Sequence, residues 1–396
     1  MSFSVPRTTP ETAIPETPQQ PVGFLELFYD LIFVAATMVL SNTFAYHATL
    51  RTAGTAVLMF ILVWLLWFHS TILMNLERRD DGIQRALIAV QMLFIILTTL
   101  AYAGREQAST DYVAFGYGIA LVAVAAAHHR VSRGGGTPAR WAAVRRNRLL
   151  LAGVFILLGI FTSDAADFIF YAGAIAILIL PTSLRRNRRL PAPLIDVHHL
   201  TERAALLTLI MCGEAFVKVS LVVSSGSITN SDVIAIVIEF IVMFALFWTY
   251  FDDIPLAGIR RGALSAELWL LAHLPLQIGI VALAIGMSKF LQIEEGEVHS
   301  EAIPVLVVAF LGIYGGLALV GMLGERTPHQ PLLFLRLATA ALALAAGSVA
   351  WSFQSFSPGM LVVVLAVLAL AHGIVASILR TRTTVARHES STIAAN

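Results

Sequence analysis

Two carboxylates lie close together in an apolar segment near the start of the chain. Residues 23–42 read GFLELFYDLIFVAATMVLSN, which is long and apolar enough to cross a membrane, and they include Glu26 and Asp30. A spacing of four residues places both side chains on one face of a helix. Because one charged residue at the centre of a membrane helix costs about 2.5–3.5 kcal/mol, the pair indicates a function that apolar residues could not perform.

The proximity of the two carboxylates sets their expected chemistry. Two such groups on one turn repel each other unless a cation or a proton neutralises one of them. We expect one carboxylate to be ionised and paired with a cation, most simply Arg203, and the other to be neutral in its apolar surroundings. Asp30 lies one turn deeper than Glu26 and is predicted to be the neutral, proton-giving group. Glu214 is a third candidate for a catalytic carboxylate.

The composition shows which elements must position these groups. The chain has 396 residues, of which 58% are hydrophobic and 13% charged, against about a quarter charged in soluble proteins. Continuous apolar stretches of about twenty residues recur along it, which predicts an all-α, polytopic protein in the lipid bilayer. No basic-aromatic motif indicates nucleic-acid binding, and the single Cys212 excludes an intrachain disulfide.

The apolar stretches predict about twelve membrane helices. Six plus six helices would form two halves with the same orientation in the membrane. The approximate ranges of the helices are 24–47, 53–77, 83–103, 111–130, 147–163, 166–184, 200–224, 231–252, 264–289, 301–323, 331–353 and 358–380. The first half covers 23–184 and the second 200–380, with a basic cytoplasmic loop at 185–199. Residues 1–22 and 381–396 are predicted to be disordered and cytoplasmic.

Arginines in the loops predict the orientation. They concentrate in the segments after even-numbered helices, such as 130–148 and 185–189. The segments after odd-numbered helices contain little beyond Arg51 and Arg105. Because positively charged loops remain inside, both termini of this multi-pass protein are predicted to be cytoplasmic, in the cell membrane.

Other polar residues gather toward the cytoplasmic ends of the predicted helices. Those proposed to bind a substrate are Asn75, Arg85, His199, Glu202, Arg203, Tyr250, Trp269, His273 and Gln277. We expect the helices to pack so that Glu26, Asp30, Arg203, Glu214 and His273 face one interior cavity. The alternatives are that the aromatic residues among them serve only packing, and that Glu214 and Lys218, one turn apart, form an inert ion pair.

Two pairs of aspartates close the second and eighth predicted helices. They are Asp80 with Asp81 and Asp252 with Asp253. Carboxylates of this kind could bind Mg²⁺ if the substrate carried a diphosphate. Neither pair extends to a third aspartate at helical spacing, so they could equally be solvated residues at helix ends.

Several segments resemble the low-temperature-requirement A (LtrA) family of bacterial membrane proteins. ELFYDLIFVAA at 26–36 resembles the opening signature, and TERAALLTLIMCGEAF at 201–216 resembles the second. WTYFDDIP and HLPLQIGIVALAIGM are similar to later blocks, so the resemblance covers most of the chain. NLERRDD at 75–81 departs from the family's more acidic stretch. The resemblance implies a fold of many membrane helices and no settled activity.

The residues are compatible with three functions. The first is a membrane enzyme that resembles a terpene cyclase. Its neutral carboxyl group, among aromatic residues, could protonate an olefin of a lipophilic substrate of the isoprenoid or prenylated class. The same carboxylates could carry protons in a transporter or exporter of a small molecule. A sensor or structural role is the third possibility. A cavity open only to the cytoplasm would favour the enzyme, and a polar path to the outer face would favour transport.

Overall fold

A computed structural model describes most of the chain. The described residues are 22–46, 50–77, 81–104, 110–161, 164–182, 195–224, 229–260, 262–292, 301–325, 330–353 and 357–395. Ten helices in this part are long and apolar enough to cross a membrane, which confirms the predicted polytopic all-α fold.

The described part of the chain contains fourteen helices. The first six are α1 (Phe24–Tyr46), α2 (Leu50–Leu76), α3 (Gly82–Ala103), α4 (Thr110–Ser132), α5 (Gly136–Gly159) and α6 (Asp164–Ile179). The next five are α7 (Val197–Ser224), α8 (Asn230–Phe251), α9 (Ile254–Ala257), α10 (Ala263–Leu271) and α11 (His273–Leu291). The last three are α12 (Ala302–Leu323), α13 (Gln330–Ser352) and α14 (Pro358–Ala395).

Differences from the predicted bounds occur where polar residues continue a helix. The fifth predicted helix begins at residue 147, but α5 begins at Gly136, so Arg145 is a helical residue and not a loop residue. Helix α7 begins at Val197 and includes two histidines assigned to the basic loop. Helix α14 extends to Ala395, so the end of the chain that was predicted to be disordered is helical. Residues 1–21 and 183–194 lie outside the described part.

The ninth predicted helix is divided into α10 and α11 at Ala272. Pro275 lacks an N–H group, so it cannot donate to the carbonyl of Leu271, four residues earlier. The side chain of His273 instead forms a hydrogen bond of 3.0 Å with the carbonyl oxygen of Trp269. The division is a local irregularity, since Ala272 keeps helical dihedral angles (φ −66°, ψ −15°), and it lies next to His273 inside a membrane span of 29 residues.

Helix α2 is the central helix of the bundle. Of its most apolar stretch, 89% is buried, and Trp64 and Trp67 are completely buried. It packs against α1, α7 and α11, the helices that contain the candidate polar residues. Burial around α2 therefore removes those residues from lipid.

Glycines allow α11 and α12 to approach each other closely. A Cβ atom added at Gly279 would lie 2.5 Å from the backbone nitrogen of Ile313. One added at Gly312 would lie 2.8 Å from the Cα atom of Gly279. Small residues at such contacts let two membrane helices pack backbone against backbone. This contact fixes α11 and its polar face against the rest of the bundle.

Candidate functional site

Arg203 of α7 bridges both carboxylates of α1. Its Nη2 atom donates a hydrogen bond to Oδ1 of Asp30, and its Nη1 atom lies 3.6 Å from Oε1 of Glu26. Asp30 and Arg203 have no exposed surface, and the side chain of Glu26 is 12% exposed. These contacts confirm the prediction that Arg203 pairs with the carboxylates. We call Glu26, Asp30, Trp67, His199 and Arg203 the carboxylate–arginine cluster.

Glu26 is surrounded by donors. Its Oε2 atom accepts hydrogen bonds of 3.0 Å from the backbone N–H of Gly23 and from Nε2 of His199. The first N–H groups of a helix have no partner within it, so Glu26 caps the start of α1. With Arg203 as the third donor group, the surroundings favour the ionised form of Glu26.

The contacts of His199 identify its tautomer. The amide of Asn75 is oriented by Asp196, because its Nδ2 donates to the Asp196 carbonyl at 2.8 Å and its Oδ1 accepts from the Asp196 N–H at 3.2 Å. The same Nδ2 lies 3.3 Å from Nδ1 of His199, which must therefore be the acceptor. The ring proton is on Nε2, directed at Glu26.

Only one oxygen of the Asp30 carboxyl group accepts hydrogen bonds within the described residues. Its Oδ1 atom accepts from Nε1 of Trp67 at 2.7 Å as well as from Arg203. Its Oδ2 atom is buried and has no hydrogen-bond partner among the described residues. An ionised carboxylate with a bare buried oxygen is unfavourable, so Oδ2 is the atom that best accommodates a proton.

A second group of predicted binding residues lies next to this cluster. Nε1 of Trp64 donates to Oε1 of Gln277 at 2.5 Å, and the rings of Trp64 and Trp67 are 5.7 Å apart. One turn from Gln277, Nε2 of His273 lies 3.0 Å from the hydroxyl of Tyr250. The tryptophans thus connect the carboxylate–arginine cluster of α1 and α7 to polar residues of α8 and α11.

Glu214 is not part of the cluster. It lies eleven residues after Arg203, about 16 Å further along α7. Within the described residues Arg203 forms ion pairs with Glu26 and Asp30 and none with Glu214, which corrects the expectation of one shared site. Lys218, one turn beyond Glu214, donates to Oγ of Ser41 at 2.8 Å instead of forming a close ion pair with Glu214.

Two other predicted binding residues lie at the edge of the site. Glu202 is partly exposed, and its nearest cationic group is His198, at 4.0 Å. Arg85 is exposed at the start of α3. The structure therefore does not bring Arg85 into the carboxylate–arginine cluster, where it was considered as a partner for the carboxylates.

Asp81 is held by hydrogen bonds at the start of α3. It accepts from the N–H of Gln84 at 2.9 Å and pairs with Arg130 of α4 at 2.7 Å. The hydrogen bond from Arg130 holds the pKa of Asp81 well below its usual range. Asp80 lies outside the described residues.

The second aspartate pair is also neutralised by arginines. Asp253 pairs with Arg336 of α13, and Asp252 lies 3.5 Å from Arg380 of α14. Within the described residues, no three side chains of His, Cys, Asp or Glu are grouped as metal ligands. Each aspartate of this pair thus has an arginine partner, and the Mg²⁺ site with a diphosphate substrate stays a prediction.

A buried ion pair between α5 and α10 was missed from the sequence. Arg145, assigned to a loop, is buried and donates to Glu267 and to Nδ1 of His69, the latter at 3.1 Å. His69 in turn contacts the carbonyl oxygen of Leu178 at 3.2 Å. The only sequence signal was an arginine close to an apolar helix, which hydropathy assigns to a cytoplasmic loop.

One fully buried carboxyl group has no partner at all among the described residues. Both oxygens of Glu239, near the middle of α8, lack a hydrogen bond, and the residue has no exposed surface. Without a cation or donor, a carboxyl group in the membrane interior is expected to be protonated.

A cavity of about 570 Å³ lies at the opposite end of α1 from Glu26. It is lined mainly by apolar side chains of α1, α2, α11 and α12. Thr37 and Ser41 contribute hydroxyl groups, and Glu301 lies at its edge. Its size is within the range of about 300–1,000 Å³ that is typical of small-molecule sites.

An aromatic layer separates this cavity from Asp30. Asp30 and Thr37 lie on one face of α1, about 10 Å apart along the helix, with Phe33 between them. The ring of Phe33 is 6.4 Å from Trp67, which bonds Asp30, and 6.2 Å from Phe60, which lines the cavity. Packed aromatic rings therefore lie between the cavity and the carboxyl group of Asp30.

The chain matches a protein family over most of its length. A family model described as "Bacterial low temperature requirement A protein (LtrA)" matches residues 21–370. The chain belongs to the LtrA family. The chain is also similar to a protein of Rhizobium meliloti (strain 1021) described as "Uncharacterized protein RA0937". It is 27% identical over 297 residues, which cover 68% of this chain and 69% of the relative.

The segments that resemble LtrA signatures meet in space. The first contains Glu26 and Asp30 on α1, and the second contains Arg203 on α7. The later blocks include Tyr250 at the end of α8 and His273 at the start of α11. The hydrogen bonds described above therefore join the first of these segments to the second, and the third to the fourth.

Proposed function

We propose that this LtrA-family protein is a proton-coupled carrier that moves a small lipophilic molecule across the cell membrane. The observation that supports it most is the placement of a bare, buried carboxyl oxygen and an apolar cavity on one face of α1, in different halves of the helix. A carrier needs these two elements, a proton site and a substrate site, coupled but not open to both sides at once.

Asp30 is the proton site in this proposal. Glu26 is held ionised by Gly23, His199 and Arg203, so the second proton-binding position on α1 is Oδ2 of Asp30. Glu26 is partly exposed and lies one turn away, which provides a short route between Asp30 and the membrane surface.

The aromatic layer is the proposed coupling element. Loss of the proton from Asp30 would strengthen its attraction to Arg203 and draw Trp67, which donates to the same oxygen. Movement of Trp67 would be transmitted to Phe33 and Phe60, whose rings separate Asp30 from the cavity. Protonation and cavity access would then be linked.

The divided helix supports transport. Discontinuous helices frequently form the substrate and ion sites of membrane transporters. Here the division at Ala272 is adjacent to His273, whose side chain bonds both Trp269 and Tyr250. A small rotation of α11 relative to α10 would change the wall of the cavity, because α11 lines it.

The proposal includes an orientation and a domain arrangement. Both termini are assigned to the cytoplasm in this proposal, since arginines concentrate in the segments after the even-numbered predicted helices. Glu26 then faces the cytoplasm and the cavity belongs to the outer half of the membrane. The helices before residue 184 and those after residue 200 form two like-oriented halves, between which α1 and α7 contact each other.

Acid catalysis is the second candidate function. It is supported by the bare oxygen of Asp30 next to the rings of Trp67 and Phe33. A protonated Asp30 could transfer its proton to an olefin of an isoprenoid or prenylated substrate, and the aromatic faces would stabilise the cation. This requires the aromatic layer to open so that the substrate reaches Oδ2.

One experiment distinguishes the two functions. The protein is reconstituted into liposomes and given a lipophilic extract of bacterial membranes, with and without a pH gradient, and the contents are analysed by mass spectrometry. A carrier accumulates a compound of unchanged mass only when the gradient is present. An acid catalyst produces a new or isomeric compound without any gradient. Loss of accumulation in Asp30→Asn supports the proposal, whereas gradient-independent accumulation contradicts it.

A further inference from the structure

The cavity at the end of α1 has few polar groups, and they lie at its edge and on its inner wall. Most of its wall is aliphatic, with Phe60 and Trp351 as its aromatic residues. Its edge carries Glu301, whose charge is neutralised by Lys289 at 2.9 Å. Its polar inner wall is formed by Thr37 and Ser41 of α1.

Behind this inner wall lies an ammonium group that is attracted by Glu214, one turn away on α7, but makes no hydrogen bond with it. Nζ of Lys218 donates to Oγ of Ser41 at 2.8 Å, and the residue is 3% exposed. Within the described residues no carboxylate lies within 4 Å of it. The hydroxyl of Ser41 also donates to the carbonyl of Met38 at 2.9 Å, so it cannot neutralise the charge. Two of the three ammonium donors therefore have no acceptor in the described part of the chain.

A buried cation of this kind favours an anionic ligand. An ammonium group that keeps two donors without acceptors in the membrane interior is unfavourable, and a monoanion bound beside it would accept hydrogen bonds from them. The long aliphatic wall in turn favours a hydrocarbon chain over a polar body. A lipophilic cation fits less well, because the carboxylate of Glu301 already has Lys289 as its partner.

We infer that the cavity binds a single-chain lipophilic carboxylate, with its head group at Ser41 and Lys218 and its chain along the aliphatic wall of α2 and α12. This inference rests on the proposed carrier function and names its substrate class. Access is from the lipid side, since Val57 and Val308 on either side of the cavity are about half exposed. A fatty-acid-like molecule can approach a membrane protein by that route.

The test uses fluorescence from Trp351, which lines the cavity. A dodecanoate with bromine on its terminal carbon quenches a nearby tryptophan, and it is titrated into the protein in lipid nanodiscs. The Trp351→Phe variant gives the quenching that arises from the other tryptophans. Displacement is then measured with dodecanoate, dodecanol and dodecylammonium, which share one chain length and differ in the head group.

We expect dodecanoate to displace the probe at least ten-fold more effectively than dodecanol, and dodecylammonium to be the weakest. Lys218→Met should lower probe affinity at least ten-fold, while Lys218→Arg should retain most of it. Gly54→Phe should abolish binding, because a side chain at Gly54 meets no other atom and would occupy the cavity. If Lys218→Met does not fold, displacement by dodecanoate, dodecanol and dodecylammonium from the wild-type protein still tests the inference.

Equal displacement by all three compounds, or preference for dodecylammonium, would overturn the inference. Quenching that is unchanged by Gly54→Phe would show that the probe binds elsewhere and would also overturn it. The assay requires no transport, so it is separable from the proposed function. Specific carboxylate binding without pH-driven accumulation would retain the site and reject the carrier.

Discussion

Glu26 and Asp30 lie one turn apart on α1 and share one guanidinium group, but their surroundings are opposite. Glu26 receives additional hydrogen bonds from Gly23 and His199, while Asp30 keeps one buried oxygen without a partner. The difference explains how the chain accommodates two carboxylates in a membrane helix. One is stabilised as an anion, and the other is suited to carry a proton.

Asp30→Asn tests the proton site. Asparagine retains an acceptor for Trp67 and Arg203 and is neutral, as we propose for Asp30. The free energy of unfolding should therefore change by less than about 1 kcal/mol, while pH-driven accumulation is lost. Unfolding by a denaturing detergent measures the first quantity and liposome uptake the second. Full uptake by this variant would exclude both the carrier and the acid catalyst proposed here.

Glu26→Gln should have the opposite effect on stability. It removes the ionised partner of buried Arg203 and leaves that guanidinium without its counter-charge. We expect the free energy of unfolding to fall by about 3 kcal/mol. Glu202→Gln is the matched control, because Glu202 is partly exposed and only 4.0 Å from His198, and should change stability by less than about 1 kcal/mol. Equal effects of the two variants would contradict the assignment.

Glu267→Gln tests the ion pair that hydropathy did not predict. Glu267 and Arg145 are both buried, so removal of one charge should lower the free energy of unfolding by about 3–5 kcal/mol. Glu301→Gln breaks the exposed pair with Lys289 and should change it by at most ~1 kcal/mol. A small effect at Glu267 would show that the pair does not hold α5 to α10.

The contact between α11 and α12 can be tested with two glycines of the same helix. Gly312→Ala places a methyl group 2.8 Å from Gly279 and should destabilise the protein by about 1–3 kcal/mol. Gly315→Ala meets no atom within 4 Å and should be neutral or stabilise by up to ~1 kcal/mol. Thermal unfolding of both variants measures the difference, and the reverse order would reject the close packing.

Pro275→Ala addresses the divided helix. Alanine has the N–H group that proline lacks, so residue 275 can donate a hydrogen bond to the carbonyl of Leu271. Helices α10 and α11 should then join into a straighter helix. We expect a higher unfolding temperature and slower pH-driven uptake. Pro358→Ala is the control, since proline at the first position of α14 interrupts no hydrogen bond and its loss should leave uptake unchanged. Unaltered uptake in Pro275→Ala would separate the discontinuity from transport.

The sequence predicted the membrane fold because hydrophobic length is a strong local signal. It also predicted that Arg203 would pair with the α1 carboxylates, since a buried guanidinium needs a counter-charge and few were available. It did not predict the burial of Arg145 or the start of α5 at Gly136, because hydropathy assigns arginine-rich stretches to loops.

Side-chain direction accounts for the other differences. Spacing placed Glu214 on the Arg203 face of α7, but rise along the helix separates the two. Spacing also paired Glu214 with Lys218, and the two do attract each other, but the hydrogen bond of Lys218 goes to Ser41 on another helix. The aspartates Asp252 and Asp253 suggested a metal site, and their arginine partners come from helices far along the chain. Local sequence patterns carry no information about contacts between segments that are distant in the chain.

The protonation state of Asp30 is the central claim, and infrared spectroscopy measures it directly. A protonated carboxyl group has a carbonyl band that a carboxylate lacks, and subtraction of the Asp30→Asn spectrum from the wild-type spectrum at neutral pH isolates that band. Glu239→Gln is the matched control for the other buried, unpartnered carboxyl group. We predict a protonated band that is lost in Asp30→Asn and retained in Glu239→Gln. Loss of a carboxylate band in Asp30→Asn, with every protonated band unchanged, would contradict the account.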